Sequence, residues 1–339
     1  MTHLAATTEF TDLPTRIVDT GGAQLRVVDV GEGPTVVLAH GFPELAYSWR
    51  HQIAPLVNAG YRVLVPDQRG YGGSSRPDAV ESYDIEALTG DLVALLDDIG
   101  VEKAAFVGHD WGSMVVWQTA LLHADRVAAV VGMSVPFLPR GPVSPVTAMR
   151  AVFADNFFYI LYFQEPGVAD AELGADPGRT MRRLLAGVTT AGEAPADLAA
   201  AFVNDGRGFV DRMPEPAGLP DWLRQDELDH YTAEFTRTGF TGGINWYRNF
   251  DRNWERTPQL DGARVTMPSL FIGGGADPVL VMSPPSTGHA QLDDHRGDVI
   301  VEGAGHWVQQ EAADEVNRAL LDFLSDTTPA TATTQAGAS

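Results

Sequence analysis

The sequence predicts an α/β fold in which a mostly parallel, doubly wound sheet is interrupted by a helical insertion. Up to residue 133, short apolar runs typical of buried strands alternate with helical patterns. Between residues 135 and 256 the alternation stops, and aromatic, proline and glycine residues accumulate around several short helical patterns. The alternation then resumes as far as residue 325. We therefore predict a core formed by residues 15–134 and 257–325, with an inserted, mainly helical cap at 135–256.

The first part of the core is predicted to begin with a β-hairpin, because two alternating segments flank Gly21 and Gly22. Continuous apolar runs, typical of strands buried on both faces, follow it. The predicted strands are Arg16–Asp19, Gln24–Val30, Thr35–Ala39, Arg62–Val65, Lys103–Val107 and Val127–Met133. The predicted helices are Tyr47–Asn58, Met114–His123 and Ile85–Ile99, the last of which is closed by Gly100.

The second part of the core is shorter. Its pattern predicts strands at Ser269–Gly273 and Asp298–Val301 and a closing helix at Glu311–Leu324. The segments outside the core, 1–14 and 326–339, are polar or rich in threonine and alanine, and we predict flexible tails there.

Composition excludes several classes of function. The net charge of −22 repels phosphate backbones, so no nucleic acid partner is expected; the acidic surface is interpreted as an aid to solubility. The absence of cysteine excludes disulfides, thiolate metal sites and cysteine nucleophiles. No apolar run is long enough to span a membrane and no signal peptide is visible, which predicts a cytoplasmic protein. A monomer and a homodimer both stay open.

One pentapeptide, Gly108–Gly112, indicates a nucleophile. It follows a predicted strand and precedes a predicted helix, and its small residues allow a sharp turn that lifts the central side chain above the sheet edge. This nucleophile-elbow pattern more often carries serine, but here the central residue is Asp110. The alternative is an ordinary helix start with an aspartate near its N-terminus.

Two further residues complete a predicted catalytic triad. Asp277 and His306 each follow a strand of the second core segment, and the order nucleophile, acid, histidine is typical of one hydrolase superfamily. In open α/β sheets the ends of the strands are where ligands bind. The loop after Thr35–Ala39 is predicted to supply an oxyanion hole through the amides of Phe42 and Trp111. We interpret His40 in that loop as a turn-stabilising residue.

These motifs resemble the soluble epoxide hydrolases of bacteria and animals, within the α/β-hydrolase fold. The resemblance covers residues 15–325. It rests on the motifs His40–Glu44 with Tyr47–Arg50, Asp67–Gly72, Gly108–Gly112, Tyr162–Gly167, Asn245–Asn249 and Gly305–Trp307. It implies an eight-stranded, mostly parallel sheet with helices on both faces. It also implies that two cap tyrosines, Tyr159 and Tyr247, hydrogen-bond the epoxide oxygen. Phe157, Phe158, Phe163 and Trp246 are expected to line a pocket for an apolar or aromatic epoxide.

The residue types suit that reaction. A carboxylate attacking an acyl carbon would give an anhydride, whereas at an sp3 carbon it gives an alkyl ester. Asp110 is ionised at neutral pH and needs no general base, but the departing alkoxide needs proton donors. His306, oriented by Asp277, would then activate the water that cleaves the ester. We expect neither a metal nor an organic cofactor to take part.

Two other functions stay open on sequence grounds. A haloalkane dehalogenase would use the same aspartate, histidine and acid, and a tryptophan at the position of Trp111 binds halide in that family. However, dehalogenases often carry asparagine where Phe42 stands, and they need no cap tyrosines. A non-catalytic ligand-binding protein on this scaffold is the second alternative, but no triad member is lost here. The histidines His51, His123, His230, His289 and His295 show no metal-ligand spacing and are interpreted as surface or structural.

Overall fold

The structure is a computed structural model that describes residues 3–5, 8–187 and 202–330. Its centre is an eight-stranded sheet in the order β1-β2-β4-β3-β5-β6-β7-β8. Only the β1–β2 and β2–β4 pairs of this sheet are antiparallel, so the prediction of a mostly parallel eight-stranded sheet is confirmed. The strands are β1 Thr15–Asp19, β2 Gln24–Val30, β3 Thr35–Ala39, β4 Arg62–Pro66, β5 Ala104–His109, β6 Val127–Met133, β7 Val265–Gly274 and β8 Leu292–Val301.

The sheet separates two apolar cores, because successive strand residues face opposite sides. On β5, Phe106 lies in one core and Val107 in the other, and both are fully buried. Helices cover both faces, as predicted for a doubly wound sheet. α2 (Ile85–Asp98) and α3 (Trp111–Leu122) bury apolar side chains on one face, whereas α1 (Arg50–Asn58) and the last helix, α14 (Ala313–Thr327), cover the other.

The residues between β6 and β7 form helices in the part of the chain that the structure describes. They are α4 Pro145–Phe153, α5 Tyr159–Tyr162, α6 Val168–Ala175, α7 Pro177–Gly187, α8 Phe209–Arg212, α9 Gln225–Thr238, α10 Thr241–Arg248 and α11 Phe250–Arg256. Two short helices follow in the second part of the core, α12 Pro278–Met282 and α13 Val308–Glu311.

Several elements differ from their predictions. The strand predicted at Ser269–Gly273 begins four residues earlier, at Val265, and the helix predicted at Met114–His123 begins at Trp111. The strand predicted at Asp298–Val301 begins at Leu292, because β8 is an edge strand whose charged side chains hide the pattern of a buried strand. The closing helix predicted at Glu311–Leu324 is broken at Ala312, whose φ of −132° is extended. The N-terminal arm, predicted as flexible, buries Phe10, whose ring packs edge-on against Tyr47 at 5.2 Å.

Candidate active site

Asp110 lies in a sharp turn between β5 and α3. Its φ of 52° and ψ of −119° are unusual for a residue with a side chain. Its backbone N–H donates to the carbonyl of Met133 at 3.1 Å, which fixes the turn against β6. A Cβ on Gly108 would overlap the carbonyl group of Gly112, and a Cβ on Gly112 would overlap the carbonyl of Ala39. Glycine is therefore required on both sides of Asp110, as the elbow pattern predicts.

We expect Gly112→Ala to lower the free energy of unfolding by about 2–3 kcal/mol, because the new methyl group must displace backbone of β3. Chemical denaturation monitored by circular dichroism measures the change. Gly90→Ala is the matched control, since Gly90 lies in α2 and has no atom within 4 Å of an added Cβ. That control should be stabilised by up to about 1 kcal/mol. Equal effects at the two positions would contradict the steric argument.

The loop after β3 brings a backbone donor to Asp110. The amide of Phe42 donates to Asp110 Oδ1 at 2.7 Å, and the Phe42–Pro43 peptide bond is cis. His40 is fully buried; its Nδ1 lies 2.9 Å from the carbonyl oxygen of Gly41, and its Nε2 accepts from the amide of Gln68 at 3.0 Å. These bonds hold the loop in place and agree with a turn-stabilising role for His40.

Trp111 is the first residue of α3 and follows Asp110 directly. Its amide is therefore one of the N-terminal N–H groups that have no partner within the helix. Its indole packs edge-on against Tyr247, with ring centroids 5.0 Å apart. The loop after β3 and the start of α3 thus each bring one backbone amide, that of Phe42 and that of Trp111, next to the nucleophile.

The acid and the histidine meet Asp110 at the carboxyl edge of the sheet. His306 Nδ1 lies 2.9 Å from Asp277 Oδ2, and His306 Nε2 lies 3.5 Å from Asp110 Oδ2. The other oxygen of Asp277 accepts the amide of Val279 at 2.9 Å, which fixes the carboxylate at the start of α12. All three predicted triad residues are therefore together, with the imidazole between two carboxylates.

Burial and neighbouring charges shift the pKa values of His306 and Asp110. Burial alone would lower the pKa of His306, but the carboxylates of Asp277 and Asp110 outweigh burial and hold that pKa well above its usual value. Burial alone would raise the pKa of Asp110, but His306 and the Phe42 amide hold it below its usual value. Asp110 is therefore ionised at neutral pH and can attack without a general base.

A buried network missed by the sequence argument ties the loops of the site together. His109 Nδ1 lies 2.6 Å from a carboxylate oxygen of Glu44, and His109 Nε2 lies 2.7 Å from the carbonyl oxygen of His306. Glu44 also accepts the amide of Gly41 at 2.7 Å. Each ring nitrogen of His109 therefore faces an oxygen acceptor. A charged residue directly after the cis proline was the sequence signal for this network.

Glu311 supports the histidine loop from the other side. Its two carboxylate oxygens accept the amides of Gly305 and Trp307, each at 2.8 Å, and these amides flank His306. Burial raises the pKa of Glu311, although the two amides act in the opposite direction. The sequence placed this residue at the start of a helix, and no local pattern indicated a contact with the preceding turn.

A cavity of about 690 Å³ lies above the nucleophile, and Asp110, Trp111, Tyr159 and Tyr247 are among its lining residues. The rings of the two tyrosines lie 5.9 Å apart at 76°. Burial raises the pKa of both phenols, and the negative charge of Asp110 raises each of them further. The tyrosines therefore stay protonated and can act as hydrogen-bond donors inside the cavity.

Of the four residues predicted to line the pocket, Phe158 lies in the cavity wall. The other three have different surroundings among the described residues. The Phe157 ring stacks under the guanidinium of Arg212 at 3.9 Å, and Phe163 is fully buried behind the tyrosines. Trp246 lies behind Trp111, and its indole N–H donates to a backbone carbonyl. Aromatic crowding alone did not show which rings face the cavity, so we do not assign these three to substrate binding.

Comparisons with known proteins agree with this geometry. Residues 34–313 match the family model described as alpha/beta hydrolase fold. The chain is 61% identical to epoxide hydrolase A of Mycobacterium tuberculosis over 91% of this chain and 97% of that protein. It is 39% identical to epoxide hydrolase 1 of Siraitia grosvenorii over 91% of this chain and 96% of that one.

A solved structure shows the same similarity. The crystal structure of epoxide hydrolase A from Mycobacterium thermoresistibile superposes with a TM-score of 0.89 at 61% identity, covering 92% of this chain and 98% of that one. Within the described residues, no helix has both the length and the apolar character that crossing a membrane requires. The resemblance seen in the motifs is confirmed: the chain belongs to the epoxide hydrolases of the α/β-hydrolase fold.

Proposed function

We propose that this protein hydrolyses an epoxide to a vicinal diol through an alkyl ester on Asp110. The observation that carries the proposal is a carboxylate nucleophile that shares one cavity with two protonated tyrosines, Tyr159 and Tyr247. A carboxylate suits attack on an sp3 carbon, and phenol donors suit a departing alkoxide. The 61% identity to epoxide hydrolase A supports the same reaction.

In the first step, Asp110 attacks one epoxide carbon and the ring C–O bond breaks. Asp110 Oδ1 already accepts the Phe42 amide, so Oδ2 is the oxygen left to form the ester bond. The electrons of the broken bond go to the epoxide oxygen, which takes its proton from one of the phenols of Tyr159 and Tyr247; solvent later reprotonates that tyrosine. The product is a hydroxyalkyl ester of Asp110.

In the second step, His306 removes a proton from water, and the hydroxide formed attacks the carbonyl carbon of the ester. Asp277, 2.9 Å from the other ring nitrogen, stabilises the imidazolium. The amides of Phe42 and Trp111 stabilise the oxyanion, each by about 3 kcal/mol. When the tetrahedral intermediate collapses, the leaving diol oxygen takes the proton held by the His306 imidazolium. The Asp110 carboxyl loses its own proton to solvent, which restores the carboxylate.

The helical segment 135–256 is proposed to be a cap that places the tyrosines over the nucleophile. Tyr159 belongs to α5 and Tyr247 to α10, and both line the cavity that contains Asp110. The cavity wall is largely apolar, which supports a bulky apolar or aromatic epoxide as substrate. The lining residues that the sequence argument did not single out include Met114, Leu121, Phe137, Met149 and Phe250.

Diol formation from a panel of aryl and alkyl epoxides by the purified protein tests the proposed reaction. We expect diol from the native protein and none above background from Asp110→Ala. Epoxides with apolar or aryl substituents should have the highest kcat/KM. Halide release from haloalkanes, without diol formation from any epoxide, would instead support the dehalogenase alternative.

The two steps should depend differently on pH. Esterification removes the negative charge of Asp110, one of the two carboxylates that raise the pKa of His306, so this pKa falls when the histidine must act as a base. We expect ester hydrolysis to slow as the pH falls through the pKa of His306 in the ester. Ester formation should persist to lower pH, because the pKa of Asp110 is held below its usual value. Single-turnover kinetics between about pH 5 and pH 9 would separate the steps, and pH-independent ester hydrolysis would contradict the role of His306.

A further inference from the structure

We propose a structural binding site for a divalent transition-metal ion such as Zn²⁺ at the outer edge of the sheet. His289, His295 and Asp298 each offer one ligand atom there, and these atoms all lie within 4.8 Å of one another. Asp298 is on β8, the edge strand of the described sheet, and His289 is in the short helical segment Pro285–Gln291 that precedes this strand. The site is separate from the triad and takes no part in the proposed reaction.

The distances are close to those of a coordination sphere. His295 Nε2 lies 2.9 Å from Asp298 Oδ1, and His289 Nε2 lies 3.1 Å from Asp298 Oδ2. Ligands about 2.0–2.2 Å from a tetrahedral ion lie about 3.3–3.6 Å apart, so small side-chain movements would admit the metal. Two imidazoles with one carboxylate favour Zn²⁺ and its neighbours over Ca²⁺ or Mg²⁺, which prefer oxygen ligands.

An irregularity in β8 brings two of these ligands to one side of the strand. His295 and Asp298 are three residues apart, so in a regular strand their side chains would face opposite sides. The pairing with β7 shifts at this point, since Ser269 pairs with His295 whereas Phe271 pairs with Asp298. Gly297, with a φ of 119°, lies within the extra length of chain. Such bulges commonly redirect a side chain next to a functional site.

Neighbouring groups support the binding of an ion. Ser269 is fully buried, and its Oγ lies 3.3 Å from His295 Nδ1, the ring nitrogen away from Asp298. A hydroxyl there can accept the Nδ1–H and so leave Nε2 free to bind the metal, as outer-shell partners of metal-binding histidines do. The side chain of His289 is 39% exposed, which gives water access to a fourth coordination position.

The nearby arginines pair with other acidic residues, so the Asp298 carboxylate stays available to a cation. Arg264 pairs with Asp293, and Arg296 pairs with Asp294 and Asp326. Within the described ranges, the ion-pair partners of Asp298 are the two histidines alone. Because the whole chain carries a net charge of −22, a divalent ion would reduce repulsion as well as join two segments.

The bound ion would hold the wall of the active-site cavity. The segment Pro285–Gln291 packs tightly on the loop after β6, since a Cβ on Gly288 would overlap the carbonyl of Phe137, which lines the cavity. Met282 and Ser283, just before this segment, also line it. An ion that binds His289 to β8 would therefore fix the segment that supports this wall.

Isothermal titration of tag-free, chelator-treated full-length protein with Zn²⁺ tests the proposal. We expect one saturable site, with affinity at least tenfold lower in His295→Ala and in Asp298→Asn. His306→Ala is the matched control, because it removes the imidazole between Asp110 and Asp277, which is a second place where histidine and carboxylate groups could bind Zn²⁺, and it should keep the proposed site. Circular dichroism shows whether the variants are folded.

A second measurement does not depend on any variant. Anomalous diffraction from crystals soaked in Zn²⁺ should give a peak between His289, His295 and Asp298. Zn²⁺ should also raise the Tm of the native protein but not that of His289→Ala. No saturable binding, binding that is lost in His306→Ala but kept in His295→Ala, or an anomalous peak only at the triad would each overturn the proposal.

Discussion

Replacing His306 by alanine is expected to stop turnover after the ester has formed. Asp110 keeps its contact with the Phe42 amide, and the first step uses the imidazole neither as an acid nor as a base. The second step loses its general base, and we expect ester hydrolysis to slow by about a thousandfold or more. Intact-mass measurement after incubation with an epoxide should show a gain equal to the mass of that epoxide, placed on Asp110 by peptide mapping.

Two variants control for unspecific alkylation. Asp110→Ala/His306→Ala lacks the nucleophile and should show no adduct under the same conditions. Asp277→Asn keeps the shape of the acid but removes the negative charge next to His306 Nδ1, so it should accumulate less ester than His306→Ala. Diol release by His306→Ala at the native rate, or an equal adduct on the double variant, would contradict the mechanism.

The order of the strands and helices, and the position of the triad at the carboxyl edge of the sheet, could be predicted because short stretches of sequence determine them. Glycine is required at 108 and 112 because a side chain at either position would overlap neighbouring backbone. This requirement can be recognised in the five-residue sequence around Asp110. The predicted strands up to β6 were located within two residues of their true ends, whereas β7 begins four residues before its prediction. By contrast, β8 carries alternating exposed charges on an edge, so only its last four residues were predicted.

What the sequence could not predict depends on contacts between distant segments. Glu44 and His306 are linked through His109, and no local pattern reports such a link. The metal site proposed above has no visible spacing in the sequence, because His295 and Asp298 share a side only through an irregular register. The cavity wall was also missed in part, since neighbouring rings such as Phe157 and Phe158 face different surroundings.

Removing the hydroxyl groups of the cap tyrosines is expected to slow ester formation. Tyr247→Phe and Tyr159→Phe should each lower the rate of the first step about a hundredfold, because each removes a donor to the developing alkoxide. The double variant should be slower still. The second step needs neither phenol, so hydrolysis of any ester that forms should keep its native rate. Quenched-flow measurement of ester formation and decay separates the two rates.

Tyr162→Phe is the matched control, because it removes a phenol from the same aromatic segment. Tyr162 contacts the ring of Phe157, and its hydroxyl bonds Glu172, whereas Tyr159 lines the cavity with Asp110. We therefore expect Tyr162→Phe to form ester at the native rate. An effect as large as that of Tyr159→Phe would mean that packing of the segment, and not a donor in the cavity, limits ring opening. Native ester formation in Tyr247→Phe would remove that residue from its proposed role and leave Tyr159 as the donor to test.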